Sequence, residues 1–165
     1  YQLGGNLFVS PDKTGIKVTN SYVTIDLNGF SIQGGSDAAY GISSSNNGLT
    51  IRNGTIVGFR IDGILSEGNY SIIQDMRVVN NGRDGIFCGA SCLVRNSVIS
   101  NNGAQGIGTN GATVLGNIIL ANKGYGLFAW GWTGYGDNTF NDNVDGQAGG
   151  GVFALNPNSC NPSCP

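Results

Sequence analysis

Short alternating runs of apolar and polar residues recur along the whole chain, and none lengthens into a helical pattern. Val23-Thr24-Ile25-Asp26-Leu27, Leu49-Thr50-Ile51, Ser71-Ile72-Ile73, Cys92-Leu93-Val94 and Thr113-Val114-Leu115 carry the period-two signature of short strands. A second apolar cluster follows each of them: Phe30-Ser31-Ile32, Thr55-Ile56-Val57, Arg77-Val78-Val79, Ser97-Val98-Ile99 and Asn117-Ile118-Ile119. A third mark is a Gly followed by an aliphatic residue: Gly41-Ile42, Gly63-Ile64, Gly85-Ile86, Gly106-Ile107, Gly126-Leu127 and Gly151-Val152. These marks are spaced by 22, 22, 21, 20 and 25 residues. A fixed period of that size is the mark of a solenoid, in which each repeat forms one coil and buries its apolar face against its neighbours. Three strand-like runs per period predict an all-β, right-handed parallel β-helix of about six coils with three short strands per coil. An antiparallel sandwich shares the short strands but does not repeat itself. Leucine-rich repeats share the period but need a Leu and Asn spacing that is absent.

Polar residues repeat in step with the apolar ones. Asn28, Asn53, Asp75, Asn96 and Asn117 separate the first two clusters, and Asn80, Asn101, Asn122 and Asn141 follow the second. Asn tolerates the left-handed backbone of tight corners, and its amide can bond to its copies in adjacent coils, so stacked Asn ladders are expected. Apolar residues of the Gly-Ile mark, Ile42, Ile64, Ile86, Ile107 and Leu127, should stack inward. Phe87, Phe128 and Phe153, one position later, should turn outward or into a corner, and Arg52, Arg77 and Arg95 should face solvent. Residues 1–20, with Leu7-Phe8-Val9 as a strand, are expected to cap one end of a single domain. Coils should fill residues 21–155, and the Pro- and Asn-rich residues 156–165 should close the other end as a clip.

Composition narrows the function classes. Only 11% of the 165 residues are charged and the net charge is −2. Like charges stacked about 4.8 Å apart repel, which accounts for the low charge in a solenoid. There is no basic patch, so nucleic acid is excluded as a partner. No apolar run is long enough to span a bilayer. Tyr1 begins without Met or a basic leader, the look of a mature or trimmed product. Four Cys form two close pairs, Cys88 with Cys92 and Cys160 with Cys164, and no His is present to complete a zinc site. Two short disulfides are the preferred reading, placing the protein in an extracellular or periplasmic compartment. Reduced, buried thiols are the alternative.

Val23-Thr24-Ile25-Asp26-Leu27-Asn28-Gly29-Phe30-Ser31-Ile32, Gly48-Leu49-Thr50-Ile51-Arg52-Asn53-Gly54-Thr55-Ile56 and Asn101-Asn102-Gly103-Ala104-Gln105-Gly106-Ile107 resemble coils of the pectate-lyase-like superfamily. The resemblance is closest to its parallel β-helix repeat proteins of undefined activity, and it covers nearly the whole chain. It implies the β-helix fold and, for members with known activity, mostly polysaccharide substrates. It does not imply a reaction, because lyases, hydrolases, epimerases and tailspike domains share the coils. The Gly-His-Gly and Arg-x-Lys of polygalacturonase-like hydrolases and the Asp-Pro-His of alginate epimerases do not occur. Pectate-lyase chemistry uses Ca²⁺ held by carboxylates and an Arg or Lys base, so it survives a sequence without His.

Two clusters are candidate sites. Asp62 and Asp84 each precede a Gly-Ile mark, with Arg60 and Arg83 nearby. Stacking would bring the carboxylates close enough to share Ca²⁺ or to divide acid and base roles. The preferred reading is structural, because the same column continues as Tyr40, Gln105 and Tyr125. The second cluster is aromatic: Tyr125, Phe128, Trp130, Trp132 and Tyr135. Trp130 and Trp132, two apart on one strand, would share a face, and Trp130, Trp132, Tyr125 and Tyr135 would offer rings to a sugar. A hydrophobic lid over the last coils is the competing and preferred role for these rings.

The chosen functional reading is a secreted, non-catalytic β-helix module, structural or carbohydrate-recognising, with a polysaccharide or cell-surface glycan as partner and no required cofactor. Six coils without long inserted loops make a poor enzyme cleft, since residues 34–40 and 131–150 are the largest irregular segments. A Ca²⁺-dependent polysaccharide lyase or glycosidase on Asp62 and Asp84 is the first alternative. A trimerising fibre or tailspike-type module is the second, with a monomer expected over a trimer.

Overall fold

The computed structural model describes residues 1–35, 37–161 and 163–164. Ser36 of the irregular segment 34–40, and Pro162 and Pro165 of the expected clip, lie outside the described residues. The chain winds as an all-β parallel solenoid of about seven turns. Three faces are stacked from strands that pair only in parallel. The first face stacks Ile16–Val18, Ile42–Ser44, Ile64–Ser66, Ile86–Cys88 and Ile107–Thr109, then the opening residues of Tyr125–Gly136 and Gly146–Ala154. Thr24–Asp26 begins the second face and Leu7–Val9 the third. Several strands continue through a corner without a break. Thr50–Val57 and Ile72–Val79 each serve both the second and third faces.

Register follows from the apolar columns. Ile42, Ile64, Ile86, Ile107 and Leu127 occupy one inward column and are buried, as the repeat predicts. Ile25, Ile51, Ile73, Val94 and Val114 form the second, and Ile32, Ile56, Val78, Ile99 and Ile119 the third. β-Branched side chains fit this arrangement because they are stiff and fill a pleated surface, and burying each contributes about 2 kcal/mol. The third column passes from Ile119 to Phe140 and the second from Val114 to Tyr135, whose rings meet at 6.1 Å. Two aromatic rings thus replace aliphatic side chains where the core approaches its end.

Residues 1–20, expected as a cap, form strands of the ladder itself: Leu7–Val9 pairs with Ser31–Gly34 and Ile16–Val18 with Ile42–Ser44. Their apolar residues stand in register with those of the next coil, Leu7 with Ile32 and Ile16 with Ile42, which raises the turn count above the expected six. The last Gly-Ile mark is also corrected. Ala148, not Val152, pairs with Leu127, while Val152 pairs with Thr133 on the following face.

The polar columns divide into two jobs that sit one residue apart. Left-handed corners fall on Asn28, Asn53, Asp75 and Asn96, and then on Gly116 and Asp137. Another set falls on Asn80, Asn101, Ala121 and Asp142. Where the residue after the corner is Asn, it points inward and makes a ladder. Asn81, Asn102 and Asn122 each donate a backbone N–H and an amide N–H to the Oδ1 of the next Asn, ending at Asn143, at 2.8–3.1 Å. Asn117, Asn138 and Asn158 repeat the arrangement at the other corner. Asn117 and Asn122 therefore belong to the buried ladders rather than to the corners, and Asn141 belongs to a strand, Thr139–Asn141. A buried amide is tolerated here because each donor and acceptor is matched by its copy.

Both cysteine pairs are bonded, Cys88 to Cys92 and Cys160 to Cys164, with Cα separations of 6.3 and 5.6 Å. Ser66 and Ser71, directly beneath Cys88 and Cys92 in register, share a 2.8 Å hydrogen bond. The disulfide stands where the neighbouring coil closes the same corner with two hydroxyls.

Candidate functional site

The carboxylate column is drawn into the wall of the solenoid. Asp62 is 0% exposed. Its Oδ1 accepts from Arg83 Nε at 2.8 Å and from the Asp84 backbone N–H at 3.0 Å, and its Oδ2 accepts from the Arg83 guanidinium at 2.7 Å. Asp84 Oδ1 in turn accepts the Gln105 N–H at 3.0 Å, and Gln105 Oε1 accepts the Tyr125 N–H at 2.6 Å. Each side chain closes the turn of the coil that follows it, and Gln105 does this as well as an Asp does. Arg60 is exposed, and among the described residues Arg83 is the arginine that engages Asp62. Burial pushes the Asp84 carboxyl above the usual carboxylate range. The charge of Asp62 adds to that rise, and the Gln105 N–H and Arg83 oppose it. Among the described residues no group of three or more His, Cys, Asp or Glu is gathered in a way that could hold a metal ion. Asp62 and Asp84 are stacked as the repeat predicts, but their oxygens serve the backbone of the next coil and, at Asp62, the Arg83 guanidinium.

The aromatic cluster has the opposite orientation. On the outer surface of the first face, Lys17, Ser43, Leu65, Phe87, Gly108 and Phe128 form one in-register column. The pairing of Tyr125–Gly136 with the following strand is irregular between Ala129 and Thr133. That irregularity holds Trp130-Gly131-Trp132, and it separates the two indoles. Trp130 leans back along the flank, 4.9 Å from the ring of Phe128 and 6.0 Å from that of Phe87. Its ring lies above Gly108, where an added Cβ would come within 3.1 Å of it. Tyr125 extends the group, 5.1 Å from Phe128. Trp130 remains 58% exposed although it is held on three sides.

Trp132 faces another way. It lies 6.4 Å from Phe153 and borders a cleft of about 580 Å³ with Ser91, Leu93, Gly111 and Thr113. It is 82% exposed. The expectation that both indoles share a side is therefore corrected, because strict alternation holds only where pairing is continuous. Trp130 covers residues of earlier coils on the flank, whereas Trp132 packs beside Phe153 of the last coil. Tyr135 is 1% exposed and packs on Phe140, so it is a core residue and offers no ring to a ligand. Burial also raises its phenol pKa.

A family model described as a right handed beta helix region matches residues 2–156. The chain belongs to the right-handed β-helix family. The coil resemblance to the pectate-lyase-like superfamily is consistent with that membership. Comparisons with curated proteins and with solved structures found no match. Among the described residues no helix is long and apolar enough to cross a membrane.

Phe87 and Gly108 complete the flank of this β-helix on which Trp130 packs, beyond the four rings that the sequence offers to a sugar. The signal for both was present: each follows a Gly-Ile mark directly, in the same column as Phe128. Phe87 was expected to turn outward, and it does so. A Gly in that column, flanked above and below by Phe, leaves the space that an indole from the neighbouring coil fills.

Proposed function

We propose that this β-helix is a non-catalytic recognition module, located outside the cytoplasm, that binds carbohydrate through the aromatic tract of Tyr125, Phe128, Trp130 and Phe87. The observation that carries the reading is Trp130: a large ring fixed by three neighbours, more than half exposed, on the flank of a rigid sheet. An indole in that position costs the fold exposed apolar surface, and the apolar face of a pyranose ring is a fitting cover. Little side-chain entropy is lost on binding, because ring contacts already restrain the indole. Two disulfides support an oxidising compartment. The Ca²⁺-dependent reading on Asp62 and Asp84 is weakened by the burial of Asp62 and by its three hydrogen-bond donors.

The test is retention of the protein on a panel of neutral and acidic polysaccharides, with and without Ca²⁺, with soluble products measured in parallel. The expected result is retention without products, independent of Ca²⁺. Trp130→Ala should weaken it by about 2 kcal/mol, roughly thirtyfold in affinity, as loss of a central aromatic anchor does. Release of unsaturated products that is abolished by Asp84→Asn would replace this reading with the lyase.

A further inference from the structure

We infer that the corner between the first and second faces is a docking site for a proline-rich peptide in the polyproline II conformation, held by Tyr22, Tyr70 and Trp132. The site lies apart from the tract around Trp130 and does not depend on carbohydrate recognition. Strand register places Tyr22, Gly48, Tyr70, Ser91, Gly111 and Trp132 in one column at this corner. Tyr22 is 80% and Tyr70 60% exposed, and Trp132 is as open as Tyr22. The positions between the rings carry Gly, Ser and Gly, so the rings stand above a low floor.

Backbone conformation sets the two tyrosines apart. Tyr22 and Tyr70 hold left-handed φ angles of 59° and 62°, in a column where Gly48 and Ser91 are left-handed too. Other left-handed corners of the coils fall mostly on Asn and Asp, such as Asn28, Asn53, Asp75 and Asn80. Asn and Asp accept that backbone through local hydrogen bonds, whereas a bulky ring is disfavoured there. An exposed ring kept against its backbone preference has no core role to account for it, and strain of this kind gathers at binding sites.

The spacing selects the occupant. Tyr22 and Tyr70 are two inter-strand steps apart, about 9.6 Å at about 4.8 Å per step. A polyproline II helix advances about 9.3 Å in each three-residue turn, so successive turns of one peptide meet successive tyrosines. Gly48 keeps the interval open: an added Cβ there would come within 2.5 Å of the Tyr22 ring. Three more steps, about 14 Å, lead from Tyr70 to Trp132 across the cleft that Ser91, Leu93, Gly111 and Thr113 line. The column is thus on the order of 24 Å long, the length of about eight residues in this conformation. Proline rings stack on aromatic faces and bring no charge, and neither the column nor the cleft lining contains a charged residue. Phenol and indole groups supply donors for the outward carbonyls of such a peptide. Its pre-formed helix loses little entropy on docking, which suits a site with shallow walls.

The experiment titrates decaproline, tetraproline and a ten-residue Gly-Ser peptide by calorimetry into the wild-type chain, Tyr70→Asn and Trp132→Ala. Asn accepts the left-handed backbone, so Tyr70→Asn removes the ring and should keep a urea midpoint at or above wild type. Decaproline should bind at least tenfold tighter than the Gly-Ser peptide. It should also bind at least tenfold tighter than tetraproline, which at about 12 Å is too short to reach from Tyr22 to Trp132. Each substitution should weaken decaproline about tenfold or more, as loss of an aromatic anchor does. Tyr70→Asn should leave polysaccharide retention unchanged. Decaproline binding that is absent, no tighter than that of the Gly-Ser peptide, or indifferent to both substitutions would overturn the inference. Loss of polysaccharide retention in Tyr70→Asn without loss of decaproline binding would overturn it as well, by assigning the corner to glycan.

Discussion

The buried carboxylate column and the exposed aromatic flank are the two places where this chain concentrates chemistry, and the solenoid treats them in opposite ways. Asp62, Asp84 and Gln105 sit in strict register, and each gives a side-chain oxygen to a backbone N–H of the next coil. Trp130 and Trp132 sit where the register is interrupted, and both remain exposed. In a repeat fold a side chain that stacks on its equivalents has its partners built in by the repetition. A side chain at an interruption has no copy above or below, so its partners must come from elsewhere on the surface or from outside. The contrast assigns the carboxylates to the scaffold and leaves the indole as the residue on which the proposed recognition rests.

The contrast breaks most visibly on the scaffold side. The largest effect is expected inside the Asn ladder. Asn122 Oδ1 accepts two hydrogen bonds from Asn102, and its amide donates to Asn143 at 2.8 Å. Asn122→Leu should therefore cost about 4 kcal/mol in urea unfolding, because two buried donors on Asn102 lose their acceptor and the Ile99 carbonyl loses a donor, while Asn143 Oδ1 keeps only the backbone N–H of residue 122. A loss below about 1 kcal/mol would show that the ladder is not a main support.

Asp62→Ala comes next, at about 2 kcal/mol, since it orphans the Asp84 N–H while the half-exposed Arg83 returns to water. It should leave glycan retention intact. The smallest effect is at Asp84, and its sign depends on pH. The folded state holds the Asp84 proton more tightly than the unfolded chain does, so the charged group's penalty is absent in acid. The penalty grows as pH rises from the ordinary carboxylate value through the raised one. Asp84→Asn keeps an oxygen for the Gln105 N–H and removes the charge. The variant should match wild type at low pH and exceed it at neutral pH, as read from urea midpoints at both.

Most of the scaffold was legible in the sequence because repetition averages out local ambiguity. Ile42, Ile64, Ile86 and Ile107 fall into one column at near-constant spacing, and no other fold needs them there. Ambiguity persists where two adjacent positions accept the same residue type. Corner and ladder sites lie one residue apart and both favour Asn, so spacing alone does not separate the ladder residues Asn117 and Asn122 from the corners. The site was less legible because it depends on the interruption. Spacing alone places Trp130 and Trp132 on one side and leaves Tyr135 outside, whereas the irregular pairing between Ala129 and Thr133 divides the indoles, and Tyr135 continues the inward column of Val94 and Val114. Aligning Tyr135 to that column would have found its burial. Nothing in the spacing foretold where the register would break.

Trp130→Ala, carried through both urea unfolding and retention on the polysaccharide that holds the wild-type protein, tests the central claim most directly. The account predicts a stability within about 1 kcal/mol of wild type, as for a surface side chain, and a loss of retention. A variant that unfolds easily yet is still retained when folded would contradict it, and would return Trp130 to the scaffold.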